Sequence, residues 1–293
     1  MEAVVFRYRS RDLKVQDIQF LKGVIGQFYG KGRSKISRVI CESWDWVQPN
    51  GKLKECAARD LLLRLEEKGL IALPPRLRPK NNLKRNAFLQ IPLGFSESPV
   101  EGALKQYGKP SLQLVTARES YLWDYLVHHY HYLGQPRLVG EHLRYLAFLH
   151  GQVVACVGWA SAAFKVKDRD RFIGWEASTR RRRLLFIANN VRFLILPWVR
   201  VPHLASQVLA LSLRRLSQDW HSSYGHPLYL AETFVDQSRF QGICYKASNW
   251  IYVGETQGHA KRGNCYQYHG QPKAIYLYPL HRHCRRLLKD DQG

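Results

Sequence analysis

The sequence predicts an α/β protein in two parts, a helical N-terminal module and a larger mixed α/β domain. Three observations support this prediction. The chain has 293 residues, a length that fits two domains better than one or three. Apolar residues repeat at helical spacing before residue 78, and helical and strand patterns alternate beyond residue 112. We therefore expect a module at 1–78, a basic linker at 79–111 and the α/β domain at 112–293.

The N-terminal module contains three helical patterns. They lie at 15–28, in SKISRVICESWDW with Ser34 as the expected N-cap, and at 53–65 after a Gln-Pro-Asn-Gly turn. Gly69 ends the third pattern, and an extended Gly-Leu-Ile phrase follows. This order is typical of a winged-helix module, in which the helix after the turn enters the major groove and the extended phrase forms a wing strand.

The helix after the turn supplies the first candidate DNA contacts. They are Lys52, Lys54, Arg59 and Arg64. The alternative is a three-helix interaction module whose basic face is only solvated.

The charge of the chain indicates a polyanionic partner. Lys and Arg number 45 against 23 Asp and Glu, a formal net charge of +22. Cations placed against phosphates release condensed counterions and so gain affinity. The basic residues are interleaved with aromatic residues and no amphipathic basic anchor stands at either end, which favours nucleic acid over an anionic membrane. A solubilising surface remains the other interpretation.

The sequence also indicates the compartment. No apolar stretch approaches the roughly 20 residues of a membrane span, and segment 1–11 lacks the apolar core of a signal peptide. We therefore expect a cytoplasmic protein without membrane association. The 6 cysteines form no C-x-x-C pair, so neither a disulfide framework nor a standard zinc site is predicted.

The α/β domain begins with a Tyr- and His-rich segment, WDYLVHHYHYLG. Two β-rich runs on either side of 150–151 predict a hairpin, and LLFIANNVRFLILPWV predicts a buried strand. A long helix opens after Pro202, followed by strand LYLAETFV, helix FQGICYKASNW and strand WIYVGET. The expected core stripe of the long helix is Leu204, Val208, Leu211 and Leu216.

Two carboxylates on one predicted strand are candidate metal ligands. Glu232 and Asp236 are four residues apart, so an extended strand places them on one face. Such a pair suits Mg²⁺ acting on a phosphodiester in a basic groove. The alternative is structural, with Glu232 paired to a neighbouring arginine and Asp236 capping a helix that starts near Ser238.

Basic residues of the α/β domain are expected to form a groove for a DNA strand. The run TRRRR at 179–183 predicts a phosphate-binding loop, with a merely solvated loop as the alternative. The candidate groove residues are Arg169, Arg180, Arg181, Arg182, Arg192, Arg200, Lys246, Asn249, Lys261 and Arg262.

The order of these elements resembles the acetyltransferase fold of the GNAT superfamily. The phrase YKASNW at 245–250 occupies the place of the Tyr-x-x-x-Gly-Phe segment of that fold, which implies a general-acid role for Tyr245. A phenol can also attack a phosphodiester and hold the strand as a phosphotyrosine, and the alternative is a packed core tyrosine. The turn at 200–206 lacks the glycines that would cradle a pyrophosphate, and this argues against acetyl transfer.

The phrases of the α/β domain are also similar to the DruA-type domain of Druantia anti-phage systems and mobile-element proteins. They include YHYLG at 130–134, RD with IGW at 169–175, Asn190, ETFVD at 232–236 and CYKASNW at 244–250. The resemblance implies a role on DNA in defence or mobility. It favours His131 and Tyr132 among the histidines and tyrosines, with His131 as a base, ligand or stacking ring.

Three hypotheses for function follow. The first is an enzyme that cuts, or cuts and rejoins, DNA, with Glu232 and Asp236 holding Mg²⁺, Tyr245 as nucleophile or acid, and His131 assisting. The second is a non-catalytic DNA-recognition subunit, and the third is a degenerate acetyltransferase. The expected partners are DNA, single- or double-stranded, and a helicase-like component of the same system, and the chain could form a homodimer.

Overall fold

The computed structural model describes residues 4–8, 11–48, 51–77, 95–136, 138, 140–262, 265–268 and 270–289. For 259–262 and 265–268 it describes the backbone alone. The chain forms two compact units. The helical unit comprises Met1–Lys84 and Ser223–His226, and the α/β unit comprises Arg85–Ser222 and Pro227–Gly293.

The helical unit contains a short hairpin and three helices. Its elements are β1 (Phe6–Tyr8), β2 (Arg11–Leu13), α1 (Val15–Gln27), α2 (Gly32–Ser43) and α3 (Glu55–Glu67). The predicted apolar stripes face one another, and Leu21, Ile36 and Leu61 are fully buried in the shared core. All three predicted helices are therefore present.

Two local predictions for this unit need correction. The helix α2 begins at Gly32 after Lys31, so Ser34 lies inside the first turn and is not the N-cap. Gly69 does end α3, because its φ of 70° lets the Leu70 amide bond back to the Leu65 carbonyl at 3.0 Å. The extended phrase that follows forms no strand within the described residues 70–77. The rest of the predicted wing and about half of the predicted linker lie at 78–94, outside the described residues.

The α/β unit contains strands and helices in alternation. Its strands are β3 (Val100–Glu101), β4 (Ser111–Leu114), β5 (His142–Leu149), β6 (Gln152–Ser161), β7 (Ile187–Ile195), β8 (Val199–Arg200), β9 (Leu230–Asp236), β10 (Ile251–Glu255), β11 (His259–Arg262), β12 (Cys265–Tyr268) and β13 (Lys273–Pro279). Its helices are α4 (Ser120–Tyr130), α5 (Lys167–Ile173), α6 (Ala177–Arg183), α7 (Leu204–Tyr224), α8 (Ile243–Ala247) and α9 (Cys284–Lys289).

Seven strands form one mixed sheet in the order β10-β13-β9-β7-β6-β5-β4. Within this sheet β7 and β9 run parallel, because α7 connects them as a crossover helix, and the other neighbouring strands are antiparallel. The hairpin β5–β6 turns at His150 and Gly151, whose φ angles of 49° and 78° suit a tight hairpin turn. The predicted mixed α/β architecture and this hairpin are confirmed.

Helices cover the sheet and bury its apolar side chains. The helix α7 buries Leu204, Val208 and Leu216 of the predicted stripe, whereas Leu211 is only partly buried. Another cluster joins Ile173 of α5 and Leu288 of α9 to strand residues of β9 and β13. In this layer α5 contacts α9, and α6 contacts α9 as well. Within the described part of the chain, no helix is both long enough and apolar enough to cross a bilayer.

Candidate nucleic-acid interface

The parallel strands β7 and β9 pair over only part of their length. Their ladder ends where Asn190 lies opposite Thr233, whereas β7 continues to Ile195 and β9 to Asp236. Beyond that point β7 stays paired with β6, and β9 stays paired with β13. The sheet therefore opens into a cleft between the carboxyl ends of β7 and β9, the edge at which α/β proteins commonly bind ligands.

Asn190 and Tyr245 meet where this cleft begins. The Tyr245 hydroxyl donates to Asn190 Oδ1 at 2.9 Å. The Asn190 amide nitrogen donates to the carbonyls of Gly158 and Arg192 at 3.1 and 3.2 Å, and these bonds determine which end of the amide faces Tyr245. Burial raises the pKa of Tyr245. At neutral pH the phenol is therefore protonated and acts as a hydrogen-bond donor.

The short helix α8 sets the position of Tyr245. Gly242 precedes it with a φ of 69°, and a Cβ at that position would lie 2.9 Å from the Tyr276 hydroxyl, so glycine is required there. The Tyr245 ring stacks on Tyr276 at a centroid distance of 6.0 Å and meets the Trp250 ring edge-on at 5.2 Å. The tyrosine is thus packed on its faces while its hydroxyl points to Asn190.

Arg192 holds the loop that follows α4. Its Nε donates to the Gly134 carbonyl at 2.7 Å, Nη1 to the Val191 carbonyl at 2.6 Å and Nη2 to the Leu133 carbonyl at 3.4 Å. Every nitrogen of the guanidinium therefore has a backbone acceptor. This corrects the expectation that Arg192 is a phosphate contact, because its role here is to position the loop.

His131 lies in that loop and is held as a neutral imidazole. Its Nδ1 accepts a hydrogen bond from the Leu133 amide at 3.1 Å, so the proton of the neutral ring is assigned to Nε2. Burial, together with the charge of Arg192, lowers the pKa of His131 to about 4. In this tautomer His131 offers a hydrogen-bond donor at Nε2 and is not poised as a base.

An exposed group of rings and one cation lies beside His131, and we call it the aromatic platform; it comprises Tyr132, Arg239 and Phe240. The rings of Tyr132 and Phe240 are 5.3 Å apart, and the Arg239 guanidinium lies 5.1 Å from the Tyr132 centroid. Tyr132 is 38% exposed and Phe240 49%. His131 stacks against Tyr132 at 4.9 Å. The platform is therefore open to a ligand.

Asp236 fixes the other half of the platform. Its carboxylate accepts hydrogen bonds from the Ser238 amide at 3.1 Å and the Ser238 hydroxyl at 2.6 Å, and these bonds lower the pKa of Asp236. The backbone amides of Arg239 and Phe240 donate to the Asp236 carbonyl. Asp236 thus has the capping contact that the sequence offered as the alternative to metal binding, although it caps a turn and not a helix.

Glu232 belongs to a buried ion-pair network. One carboxylate oxygen accepts from the Ala163 amide at 2.7 Å and the other from Arg169 at 2.8 Å, and the side chains of Glu232 and Arg169 have no exposed surface. Arg169 also binds Asp170 at 2.7 Å. The expectations that Glu232 holds Mg²⁺ and that Arg169 contacts DNA are therefore corrected, since both side chains are occupied by protein partners.

The same network extends to the first arginine of the TRRRR run. Arg180 donates to Asp170 at 3.1 Å, and its side chain is only 12% exposed. It is therefore a structural cation, which corrects its assignment as a DNA contact. Among the residues that the structure describes, no cluster of three or more His, Cys, Asp and Glu side chains could hold a metal ion.

The remaining arginines of α6 and the cations in and just before α9 belong to two helical segments that contact each other, and we call this group of cations the basic face. Its half-buried members are Arg181 and Arg183, and its exposed members are Arg182, Arg282, Arg285, Arg286 and Lys289. Segments 177–186 and 280–289 contain no acidic residue, and the two aspartates at 290–291 lie outside the described residues. The sequence analysis overlooked the cations of α9, although the charge run HRHCRRLLK could have revealed them.

The other predicted DNA contacts of the α/β unit lie on separate segments of the chain. Arg200 is exposed and lies 3.5 Å from the carboxylate of Glu101. Lys246 and Asn249 are exposed in and after α8, and Asn249 has a left-handed φ of 61°. Lys261 and Arg262 fall in β11, where the structure describes no side chains, so these two candidates lie outside the described residues.

The candidate contacts of the helical unit surround the start and surface of α3. Lys54 immediately precedes α3. Lys52 is followed by Leu53, which forms an isolated antiparallel β-bridge with Val47. Arg59 is exposed on the helix. Arg64 is paired with Asp60 at 3.0 Å, so part of its charge is already neutralised.

Solved structures that are similar to the chain include two N-acetyltransferases. One, from Staphylococcus aureus Mu50, is 10% identical, with 59% of this chain and 99% of that chain covered and a TM-score of 0.38. The other is the ribosomal-protein-S18-alanine N-acetyltransferase from Escherichia coli, 10% identical, with 58% and 94% covered and a TM-score of 0.37. No curated protein matches the chain. The model of a family described as "Druantia protein DruA" matches residues 64–265. Because this match spans well over half of its length, the chain belongs to that family.

Proposed function

We propose that this protein binds DNA as part of an antiviral defence system and holds the sugar–phosphate backbone on the basic face of its α/β unit. Membership of the Druantia DruA family supports the defence role. The observation that carries the DNA-binding proposal is the collection of seven Lys and Arg residues on α6, on α9 and in the turn before α9, without an acidic residue in either segment.

The physical basis is counterion release. Phosphates held by exposed cations displace condensed counterions, so the affinity falls steeply with salt, with a slope of about −0.9 per phosphate contact for duplex DNA. Asp170, which contacts α6 through Arg180, is also paired with the buried Arg169. The net charge of +22 adds long-range attraction for a polyanion.

The experiment removes two cations from the basic face of the full-length protein. The test variant is Arg282→Gln with Arg286→Gln; Arg285 is left in place because its guanidinium lies 5.5 Å over the Phe172 ring. The matched control is Lys105→Gln with Lys109→Gln, two exposed lysines near β4. We expect the slope of log K against log salt to flatten by roughly 1 to 2 in the test variant, and by much less in the control. Equal flattening in both variants would mean that only net charge matters and would refute the basic face as the contact.

The helical unit is proposed as a second DNA contact of the winged-helix type, with α3 as the helix that enters the major groove. Support comes from exposed Arg59 on α3 and from Lys54 at its start. A Lys54→Gln, Arg59→Gln variant should lose affinity for duplex DNA. Unchanged duplex affinity would leave the unit as an interaction module.

A second candidate function is phosphodiester cleavage in the cleft, favoured by the neutral Tyr245 hydroxyl that is held by Asn190. In this reaction a water oxygen bonds to phosphorus and gives up a proton to solvent, the bond from phosphorus to the leaving oxygen breaks as the Tyr245 phenol protonates that oxygen, and the phenolate recovers a proton from solvent. End-labelled DNA resolved on denaturing gels tests it. Cleavage that Tyr245→Phe abolishes would support the reaction, and intact DNA under all conditions would leave recognition as the function.

A further inference from the structure

The aromatic platform at the mouth of the cleft has no role in the proposed binding of the DNA backbone by the basic face. Its rings are exposed, with Tyr132 at 38% and Phe240 at 49%, although large apolar rings are usually buried. The Arg239 side chain is 60% exposed and lies over the Tyr132 ring. Exposed rings beside a planar cation present surfaces on which a flat, electron-rich ring can stack.

The platform is held rigidly from both sides of the cleft. On one side Arg192 of β7 binds the carbonyls of the 131–134 loop that carries Tyr132. On the other side Asp236 of β9 anchors the turn that carries Arg239 and Phe240. These anchors reduce the entropy that a ligand would otherwise lose by ordering the rings, so the platform is preorganised for binding.

We infer that the aromatic platform of Tyr132, Arg239 and Phe240 binds an unpaired nucleobase of single-stranded DNA. This inference rests on the proposed DNA-binding function and deepens it. A base within a duplex is stacked and paired, so its faces are not available, whereas a base in a single strand can turn outward onto aromatic rings and arginine planes.

Charge favours a nucleobase over an apolar peptide as the occupant. Arg239 stands in the platform itself, and Arg192 lies beneath the adjacent loop. The carboxylate of Asp236 accepts a hydrogen bond from Ser238 and lies 3.9 Å from Arg239. In a chain with a net charge of +22, a phosphate-linked ring fits this surface better than a neutral side chain.

The test measures binding of the full-length protein to a single strand and to the matching duplex. Each DNA carries 2-aminopurine, a base analogue whose fluorescence is quenched when it stacks. The variants are Tyr132→Ala, Phe240→Ala and the conservative Tyr132→Phe, with Tyr29→Ala as a control that removes an exposed phenol, at 51%, from the helical unit.

We expect Tyr132→Ala and Phe240→Ala each to weaken single-strand binding by roughly tenfold and to abolish quenching, because stacking contributes substantially per base. The affinity of these two variants for the duplex should stay unchanged. Tyr132→Phe keeps the aromatic ring and should retain both affinity and quenching, and Tyr29→Ala should have no effect. Equal losses for single strand and duplex, or quenching that survives both alanine variants, would overturn the platform as a base site.

Failure of this inference differs from failure of the proposed function. If the wild-type protein binds both DNAs with strong salt dependence and the platform variants bind like the wild type, only the base site is refuted. If the wild-type protein binds neither DNA, the proposed function is refuted as well. A single-stranded RNA of the same sequence that binds more tightly than the DNA would overturn DNA as the ligand.

Discussion

The Tyr245 hydroxyl donates a hydrogen bond of 2.9 Å to the side-chain oxygen of Asn190 at the point where the parallel strands β7 and β9 part. The other end of the Asn190 amide is tied to two backbone carbonyls. A neutral phenol is thus fixed at the start of an open cleft. The same bond links the short helix α8 to the centre of the sheet, so it has a structural consequence that can be measured.

Tyr245→Phe removes this hydrogen bond and leaves a buried amide oxygen without its donor. We expect the free energy of unfolding to fall by about 1 to 2 kcal/mol, the usual cost of an unsatisfied buried acceptor. Urea denaturation measures it, with Tyr132→Phe as a control whose ring is 38% exposed. Equal stability of Tyr245→Phe and the wild type would show that the bond to Asn190 is not maintained in solution.

Variants of the Arg169–Glu232 ion pair test whether Glu232 is a structural partner of Arg169 or a metal ligand. Glu232→Leu leaves Arg169 buried with one carboxylate fewer, so we expect a loss of about 3 to 5 kcal/mol in unfolding free energy. The double variant Arg169→Met, Glu232→Leu should recover part of that loss. Chemical denaturation with and without Mg²⁺ checks both points. Stabilisation of the wild type by Mg²⁺ that Glu232→Leu abolishes would restore the metal interpretation.

The sequence predicted the elements well and the partners of the acidic residues poorly. Apolar periodicity located α1, α2, α3, the β5–β6 hairpin, α7 and β9, because each element buries one face. It also placed Glu232 and Asp236 on one strand. It could not show that Glu232 meets Arg169, since that contact depends on how helix α5, which carries Arg169 63 residues earlier in the chain, packs against the sheet.

The candidate site was predicted only in part, because some of its contacts also join residues that are distant in the sequence. The sequence singled out Tyr245, His131 and Tyr132, and the structure places all three beside the cleft. It gave no sign of Arg239 and Phe240, because their exposure depends on the turn that Asp236 caps. Arg192 was predicted to contact a phosphate because its charge alone does not reveal that its guanidinium donates to backbone carbonyls.

His131 should make stability depend on pH. Its pKa of about 4 in the folded protein lies below the ordinary value of 6.5, so the unfolded chain binds the proton more readily. Stability from this group is therefore complete above about pH 6.5 and is lost as the pH falls toward 4. His131→Asn keeps an acceptor for the Leu133 amide and should flatten this part of the profile. Urea unfolding at several pH values measures it, and an unchanged profile would contradict the assignment.

Two glycine variants test the backbone at α8 against a neutral site. Gly242→Ala forces a Cβ to within 2.9 Å of the Tyr276 hydroxyl at a φ of 69°, so we expect a loss of about 1 to 2 kcal/mol. Gly23→Ala in α1 meets nothing within 4 Å and should stabilise the protein by about 0.5 to 1 kcal/mol. Thermal denaturation compares them. A harmless Gly242→Ala would mean that α8 and Tyr245 are less tightly placed than described.

The most direct test is the affinity of the wild-type protein for DNA as a function of salt, set against a peptide nucleic acid of the same base sequence with an uncharged backbone. Fluorescence anisotropy gives both affinities. Binding through the basic face predicts a steep linear fall of log K with log salt for DNA and far weaker, salt-insensitive binding of the uncharged analogue. Salt-independent binding, or equal affinity for the two polymers, would contradict the proposal that this protein holds a DNA backbone.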